Sequence, residues 1–162
     1  MKLKSLSVSL PFGLGSLSFA ANEVEQRAAW SLYVELITRV AAQPFMIEHG
    51  SLRGLLSSLH SLFALTREIL RDAGPDVAHG PGSFGAIAIR VLTQGVAPFT
   101  TQWHTALSEH EASRPPEITP REHEQRWERY GEMLREFVAL QLEIRAYLAV
   151  LATIADIGEL DR

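Results

Sequence analysis

Serine and apolar residues alternate strictly over residues 5–10, and the same alternation returns over residues 16–19. An alternation with a period of two is typical of a half-buried β-strand. Proline and glycine residues between the two stretches supply a turn, so the pattern predicts a short β-hairpin within residues 1–20. The alternative is a secretory signal, because Lys2 and Lys4 precede an apolar stretch that ends in small residues. The alternation favours the hairpin, and with it a cytoplasmic location.

From Asn22 onward, apolar residues recur at steps of three and four positions, which is the spacing of one face of an α-helix. Capping residues, prolines and glycines divide this pattern into segments. The predicted helices cover residues 22–43, 51–73, 83–112 and 119–157. Gly95 and Pro98 interrupt the third helix and predict a kink or a break there. The helical pattern predicts an all-α fold class. Because the connectors are short, we expect an up-and-down four-helix bundle with an N-terminal hairpin, in one domain over residues 1–162.

The helix predicted over residues 119–157 is the longest, with Thr119 as its cap and Gly158 as its stop. An uninterrupted helix of this length extends about 57 Å at a rise of about 1.5 Å per residue. Its residues 146–155 carry no charge and are apolar all round, so they must be covered on every side. This stretch is too short to cross a bilayer, which needs about 20 residues.

Three kinds of cover are open for this apolar stretch. The hairpin and the start of the first helix can cover it, or a partner protein or a second copy of the chain can dock on it. The docking interpretation uses four anchors: Tyr147, Val150, Leu151 and Ile154. A membrane surface is the third kind of cover, and the scarcity of lysine disfavours it.

Two polar residues stand among apolar neighbours. Arg90 lies within an apolar run of the third helix, and we expect a structural ion pair with Glu35 or Glu68 of neighbouring helices. Gln141 falls on the apolar seam of the last helix. There it either sets the register of packing or lies at the edge of the seam with its amide in water.

Composition narrows the function classes. A net charge of −4 argues against a dedicated nucleic-acid binder, which is normally basic. The absence of cysteine excludes disulfides, thiol catalysis and cysteine-bound zinc. Lys2 and Lys4 are the only lysines among fifteen basic residues, a bias typical of a GC-rich bacterial genome.

The histidines and glycines do not form a recognised cofactor motif. No two histidines stand three or four residues apart, so no helix face carries a pair of metal ligands. His104 follows Trp103 and is predicted to be a buried, hydrogen-bonded histidine. The glycine-rich segment 80–85 precedes a helix but lacks the Lys-Ser/Thr ending of a phosphate-binding P-loop. We therefore expect neither a metal nor a cofactor.

One spacing points to an enzyme. Arg53 and His60 are separated by six residues on a predicted helix, and this pair resembles the Arg-x(4–6)-His motif of HEPN-type ribonucleases. Those enzymes are helical and act as dimers, and the resemblance implies that Arg53 binds phosphate and His60 serves as acid or base. The family usually has a polar residue directly after the arginine, whereas Gly54 follows here. Helix geometry places Arg53, Ser57, His60, Ala64 and Arg67 on one stripe opposite the leucine-rich face. The other interpretation of this stripe is the solvated side of an amphipathic helix.

These patterns favour a non-enzymatic interaction or regulatory protein of the bacterial cytoplasm. We expect it to be one component of a multi-protein assembly, for which a defence or conflict system is one setting, or a homo-oligomer. Its partner is then a protein or a second copy of the chain. A ribonuclease that uses Arg53 and His60 is the alternative.

Overall fold

A computed structural model of the protein describes residues 5–39, 42–43, 50–158 and 160. The chain is mostly helical, with a small two-stranded antiparallel sheet at its N-terminus, so the predicted all-α character and the hairpin are confirmed. The strands and α-helices are β1 (Leu6–Ser9), β2 (Ser16–Phe19), α1 (Glu23–Ile37), α2 (Leu52–Ala73), α3 (Phe84–Arg90), α4 (Ala97–Ala112), α5 (Pro120–Gln125) and α6 (Tyr130–Ile154).

The hairpin is anchored to α6 through its turn. The backbone N–H of Phe12 donates to Oε2 of Glu143 on α6 over 2.6 Å. Phe12 has a φ of 59°, a left-handed conformation that is uncommon for a bulky residue. Its ring lies directly on Gly95, where an added Cβ would stand 2.6 Å from ring carbons. The glycine that interrupts the third predicted helix therefore makes room for the tip of the hairpin.

Helix α1 starts at its predicted capping residue but ends earlier than predicted. Glu25 and Asn22 form a capping box, in which Oδ1 of Asn22 accepts from the backbone N–H of Glu25 over 2.8 Å. The helix ends at Ile37 rather than at residue 43. Tighter three-residue hydrogen bonds, from Arg39 to Leu36 and from Ala42 to Arg39, replace the α-helical pattern there.

The second and third predicted helices keep their predicted extents. α2 covers Leu52–Ala73, and the chain from α3 to α4 stays helical without a break. Residues Val91–Val96 between α3 and α4 adopt π-helical hydrogen bonding, which is the local change at Gly95. Pro98 follows this segment in the first turn of α4, and because it has no backbone N–H it cannot donate to a carbonyl of the preceding turn.

The fourth predicted helix is divided into α5 and α6, so the prediction of one uninterrupted helix is wrong. Thr119 does cap α5, accepting from the N–H of Glu122 over 3.2 Å. The carboxylate of Glu124 then accepts from the backbone N–H of Leu52 at the start of α2 over 2.7 Å. The buried ring of Trp127 meets that of Trp103 edge-on at 5.9 Å. These tertiary contacts hold the chain in a turn between the two helices.

The long helix α6 packs against α1 and β1. Its length and mean hydropathy, 1.6 over the most apolar 18 residues, would also suit a membrane-crossing helix. Half of that window is buried inside the chain itself. Helix α1 and strand β1 therefore cover part of the apolar surface of α6.

Candidate ligand-binding cleft between α2 and α4

A cavity of about 670 Å³ opens between α2 and α4. Arg53, His60 and Arg67 line it from α2, and His104 lines it from α4. Its apolar wall includes Leu56 and Phe63, and several serine and threonine hydroxyls complete the lining. Among the residues that the structure describes, no acidic one belongs to this lining. The cavity therefore combines an apolar wall with cationic and hydroxyl groups.

The three α2 residues lie on one stripe because they are seven positions apart, which is close to two helical turns. Seven residues span about 10 Å along a helix, so Arg53, His60 and Arg67 are spread along the cleft. The opposite face of α2 is buried and leucine-rich, which fixes the direction of the stripe. This stripe faces α4 across the cavity, and His60 and Arg67 on it are exposed to solvent.

Arg53 is held by one face of α4. Its Nε donates to Oε2 of Glu111 over 3.2 Å, and a terminal nitrogen donates to Oγ of Ser108 over 3.2 Å. A second contact to Glu111 makes this an ion pair. The other terminal nitrogen lies 3.2 Å from Nδ1 of His104. The guanidinium charge of Arg53 is therefore balanced by Glu111 while its plane is fixed at the edge of the cleft.

The contact with Arg53 also fixes the tautomer of His104. A guanidinium can only donate hydrogen bonds, so Nδ1 of His104 must accept and its proton must lie on Nε2. His104 is exposed, and the prediction that it is buried is wrong, because the neighbouring Trp103 takes the core position. His104 therefore brings an N–H donor to the α4 side of the cleft.

Arg67 is an exposed residue that adds a second arginine side chain to the described lining of the cleft. Its guanidinium forms no hydrogen bond or ion pair with any residue that the structure describes. The hydroxyls of Ser57, Thr101 and Thr105 line the same cavity and likewise bond no described residue. Unused donors of this kind, gathered around one cavity, suit an anionic ligand.

Two other histidines are used structurally. The rings of His110 and His123 stack with centroids 3.8 Å apart and planes inclined by 2°. Nε2 of each ring donates to the backbone carbonyl of the other residue, over 2.7 and 2.6 Å. The ring of Trp127 stacks on His110 at 5.2 Å. This stack joins α4 to α5, so both imidazoles serve to hold these two helices together.

The predicted ion pair of Arg90 with Glu35 or Glu68 is wrong. Arg90 instead donates to the carbonyl of Leu14 in the hairpin over 3.3 Å. Glu35 pairs with Arg39 on its own helix at 3.2 Å. Glu35 and Glu68 both line a groove between α1 and α2, whereas Arg90 lies beside the hairpin.

The proposed docking anchors on α6 do not form an exposed surface. All four side chains are buried, with Leu151 and Ile154 at 0% exposure, because α1 and the hairpin already pack on this helix. The residues in question are Tyr147, Val150, Leu151 and Ile154. Gln141 is also buried, and its amide donates to the backbone carbonyl of Gln43, so the amide is not in water.

The sequence placed Arg53, His60 and Arg67 on one stripe of a helix, but it did not indicate that His104 belongs to the same site. Over the described ranges, no group of three histidine or acidic side chains is placed to hold a metal ion. No protein-family model, curated protein or solved structure matches this chain.

Proposed function

We propose that this chain is a non-enzymatic regulatory protein that binds a small phosphorylated molecule in the cleft between α2 and α4. The observation that carries the proposal is the guanidinium of Arg67, which bonds no described residue, in a cavity whose described lining holds no acidic residue. His60 and Nε2–H of His104 add donors along the same cavity. Arginine is well suited to phosphate because its planar fork donates two parallel hydrogen bonds to phosphate oxygens.

The dimensions and the wall of the cleft narrow the class of ligand. Small-molecule sites commonly have volumes of about 300–1,000 Å³ and are largely apolar with a few convergent polar groups. The cavity of about 670 Å³ falls in this range. Leu56 and Phe63 offer an apolar wall, and the ring of Phe63 lies 6.1 Å from that of His60. A nucleotide combines a flat ring with phosphate and is the ligand class that suits both parts.

In this proposal the protein works in the bacterial cytoplasm as one component of a larger assembly or as a homo-oligomer. The ligand then acts as its effector, because occupation of the cleft bridges α2 and α4. We also propose that the helices form an up-and-down bundle whose third helix is kinked near Gly95 and Pro98. The π-helical hydrogen bonding at residues 91–96 supports the kink.

The proposal is tested by calorimetric titration of the protein with adenosine monophosphate and with pyrophosphate. Arg67→Ala should weaken binding about tenfold or more, because a hydrogen bond to a charged group contributes about 1.5–3 kcal/mol. Arg71→Ala is the matched control, since Arg71 is an exposed arginine one turn further along α2 that does not line the cleft. Equal binding by Arg67→Ala, or no binding of either probe at a Kd below about 1 mM, would overturn the proposal.

A ribonuclease is the second candidate, and the position of Arg53 and His60 on one cavity favours it. His104 supplies a second imidazole, so the cleft holds groups for both acid and base. This candidate predicts cleavage of single-stranded RNA that is lost in His60→Ala and retained in His79→Ala, an exposed histidine outside the cleft. RNA that stays intact, or equal cleavage by the two variants, excludes it.

A further inference from the structure

A second groove lies between α1 and α2, on a different face of α2 from the ligand cleft. Its volume is about 340 Å³. Trp30 and Val34 line it from α1, and Leu65 and Ile69 line it from α2. Trp30 is 44% exposed and Val34 is 38% exposed, although both are large apolar side chains. The groove therefore presents apolar surface to solvent.

Carboxylates surround this apolar floor. Glu35, Glu68 and Asp72 all line the groove. Glu35 is paired with Arg39, whereas Glu68 and Asp72 form no hydrogen bond or ion pair with any residue in the described part of the chain. Glu68 and Asp72 stand one turn apart on the same face of α2, where like charges destabilise a helix. A cation placed between them would relieve this repulsion.

We propose that this groove docks a basic amphipathic helix of a partner protein. In this mode, apolar side chains one turn apart pack on Trp30 and Val34, as in other helix-in-groove complexes. Lysine or arginine side chains beside them meet Glu68 and Asp72. Half-exposed tryptophan is a frequent anchor of such interfaces because it buries a large rigid surface.

The negative charge of the groove favours a basic helix over two other occupants. A twofold-symmetric contact through this groove would bring together two patches that carry the same carboxylates, and like charges across an interface are unfavourable. An anionic membrane surface would be repelled by the same carboxylates. The groove is separate from the ligand cleft, so this inference goes beyond the proposed function and can fail independently of it.

The probe is a labelled helical peptide of about 14 residues, four turns, with leucines on one face and lysines beside them. Fluorescence anisotropy at low salt should show binding to the native chain. The double variant Glu68→Lys/Asp72→Lys should weaken binding at least about tenfold and should bind the peptide with glutamate in place of lysine. Trp30→Ala should weaken binding without unfolding the protein, since this side chain is half exposed.

The control variant is Glu109→Lys/Glu117→Lys, which reverses two exposed charges outside the groove and should bind like the native chain. Equal binding by the groove and control variants would overturn the proposal, as would no binding of the basic peptide to the native chain. A dimer of the native chain that Glu68→Lys/Asp72→Lys dissociates would also overturn it, because the occupant would then be a second copy. Arg67→Ala should leave peptide binding unchanged, which separates this test from that of the ligand cleft.

Discussion

The guanidinium of Arg53 on α2 donates to Nδ1 of His104 on α4 over 3.2 Å, across 51 positions of sequence. Arg53 also bonds Ser108 and Glu111, which lie one and two turns beyond His104 on the same face of α4. One side chain of α2 therefore contacts three residues of α4. This set of contacts fixes the end of the ligand cleft and holds the proton of His104 on Nε2.

The first prediction concerns this contact. A double-mutant cycle of Arg53→Ala and His104→Ala, measured by chemical denaturation, should give a coupling free energy of about 0.5–1 kcal/mol. The value is small because both side chains are partly exposed to water. Additive effects of the two substitutions would mean that the contact does not stabilise the fold.

The second prediction concerns Gly95 beneath the hairpin. Gly95→Ala should lower the free energy of unfolding by about 1–3 kcal/mol, because its Cβ would stand 2.6 Å from the ring of Phe12. Gly131→Ala is the matched control on α6, where the nearest obstacle is the flexible end of Arg135 at 3.3 Å. That substitution should be neutral or stabilising by up to about 1 kcal/mol, the helix propensity gained on replacing glycine.

A second measurement assigns the cause of the Gly95 effect. In a Phe12→Ala background, Gly95→Ala should no longer destabilise, because the obstructing ring is gone. If Gly95→Ala remains equally destabilising without the ring, the contact between the hairpin and the π-helical segment is not its cause.

The third prediction concerns the turn that divides α5 from α6. Glu124→Ala should lower the free energy of unfolding by about 1–3 kcal/mol, because the buried N–H of Leu52 loses its acceptor at 2.7 Å. The carboxylate also lies at the positive end of the α2 dipole. Glu128→Ala removes an exposed carboxylate from the same turn and should change stability by less than about 0.5 kcal/mol. Equal effects of the two substitutions in a denaturant titration would contradict this role.

The fourth prediction concerns Tyr147, whose hydroxyl is buried and bonds no residue that the structure describes. Burial raises the pKa of Tyr147 well above that of a free tyrosine. The folded state thus favours the protonated hydroxyl, and this contribution to stability is complete below pH 10 and is lost as the pH rises above about 10. Tyr147→Phe should therefore reduce the loss of stability at alkaline pH.

At neutral pH, Tyr147→Phe should be neutral or stabilising by about 1 kcal/mol, because it removes an unsatisfied buried hydroxyl. Tyr33→Phe is the control, since the hydroxyl of Tyr33 accepts from the N–H of Leu160 over 3.2 Å and its loss should destabilise slightly. Thermal unfolding from pH 7 to pH 11 compares the two. A clear destabilisation by Tyr147→Phe at pH 7 would show that its hydroxyl has a partner.

Local signals in the sequence predicted local structure well. The alternation of serine and apolar residues predicted the hairpin, and the residues from Asn22 to Glu25 predicted the capping box at the start of α1. The break between α5 and α6, residues 126–129, contains no proline or glycine. It depends on Glu124 reaching α2 and on Trp127 entering the core, and neither contact is local.

For the same reason, only part of the candidate site could be predicted from the sequence. Arg53 and His60 share a helix, so their spacing placed them together, whereas His104 comes from α4 and joins them only through packing. The stack of His110 on His123 was equally hidden, because the two residues lie on separate helices. The sequence showed how much apolar surface α6 carries, but it could not show whether the chain itself or a partner covers that surface.

The central claim is that a phosphorylated ligand occupies the cleft between α2 and α4, and histidine imidazole signals in NMR test it most directly. Titration with adenosine monophosphate should shift the signals of His60 and His104 saturably, and Arg67→Ala should raise the nucleotide concentration at half of the shift about tenfold or more. The signals of His79, His110 and His123, which lie outside the cleft, should stay in place. Unchanged signals of His60 and His104 at saturating nucleotide, or an equal shift of His79, would contradict the claim.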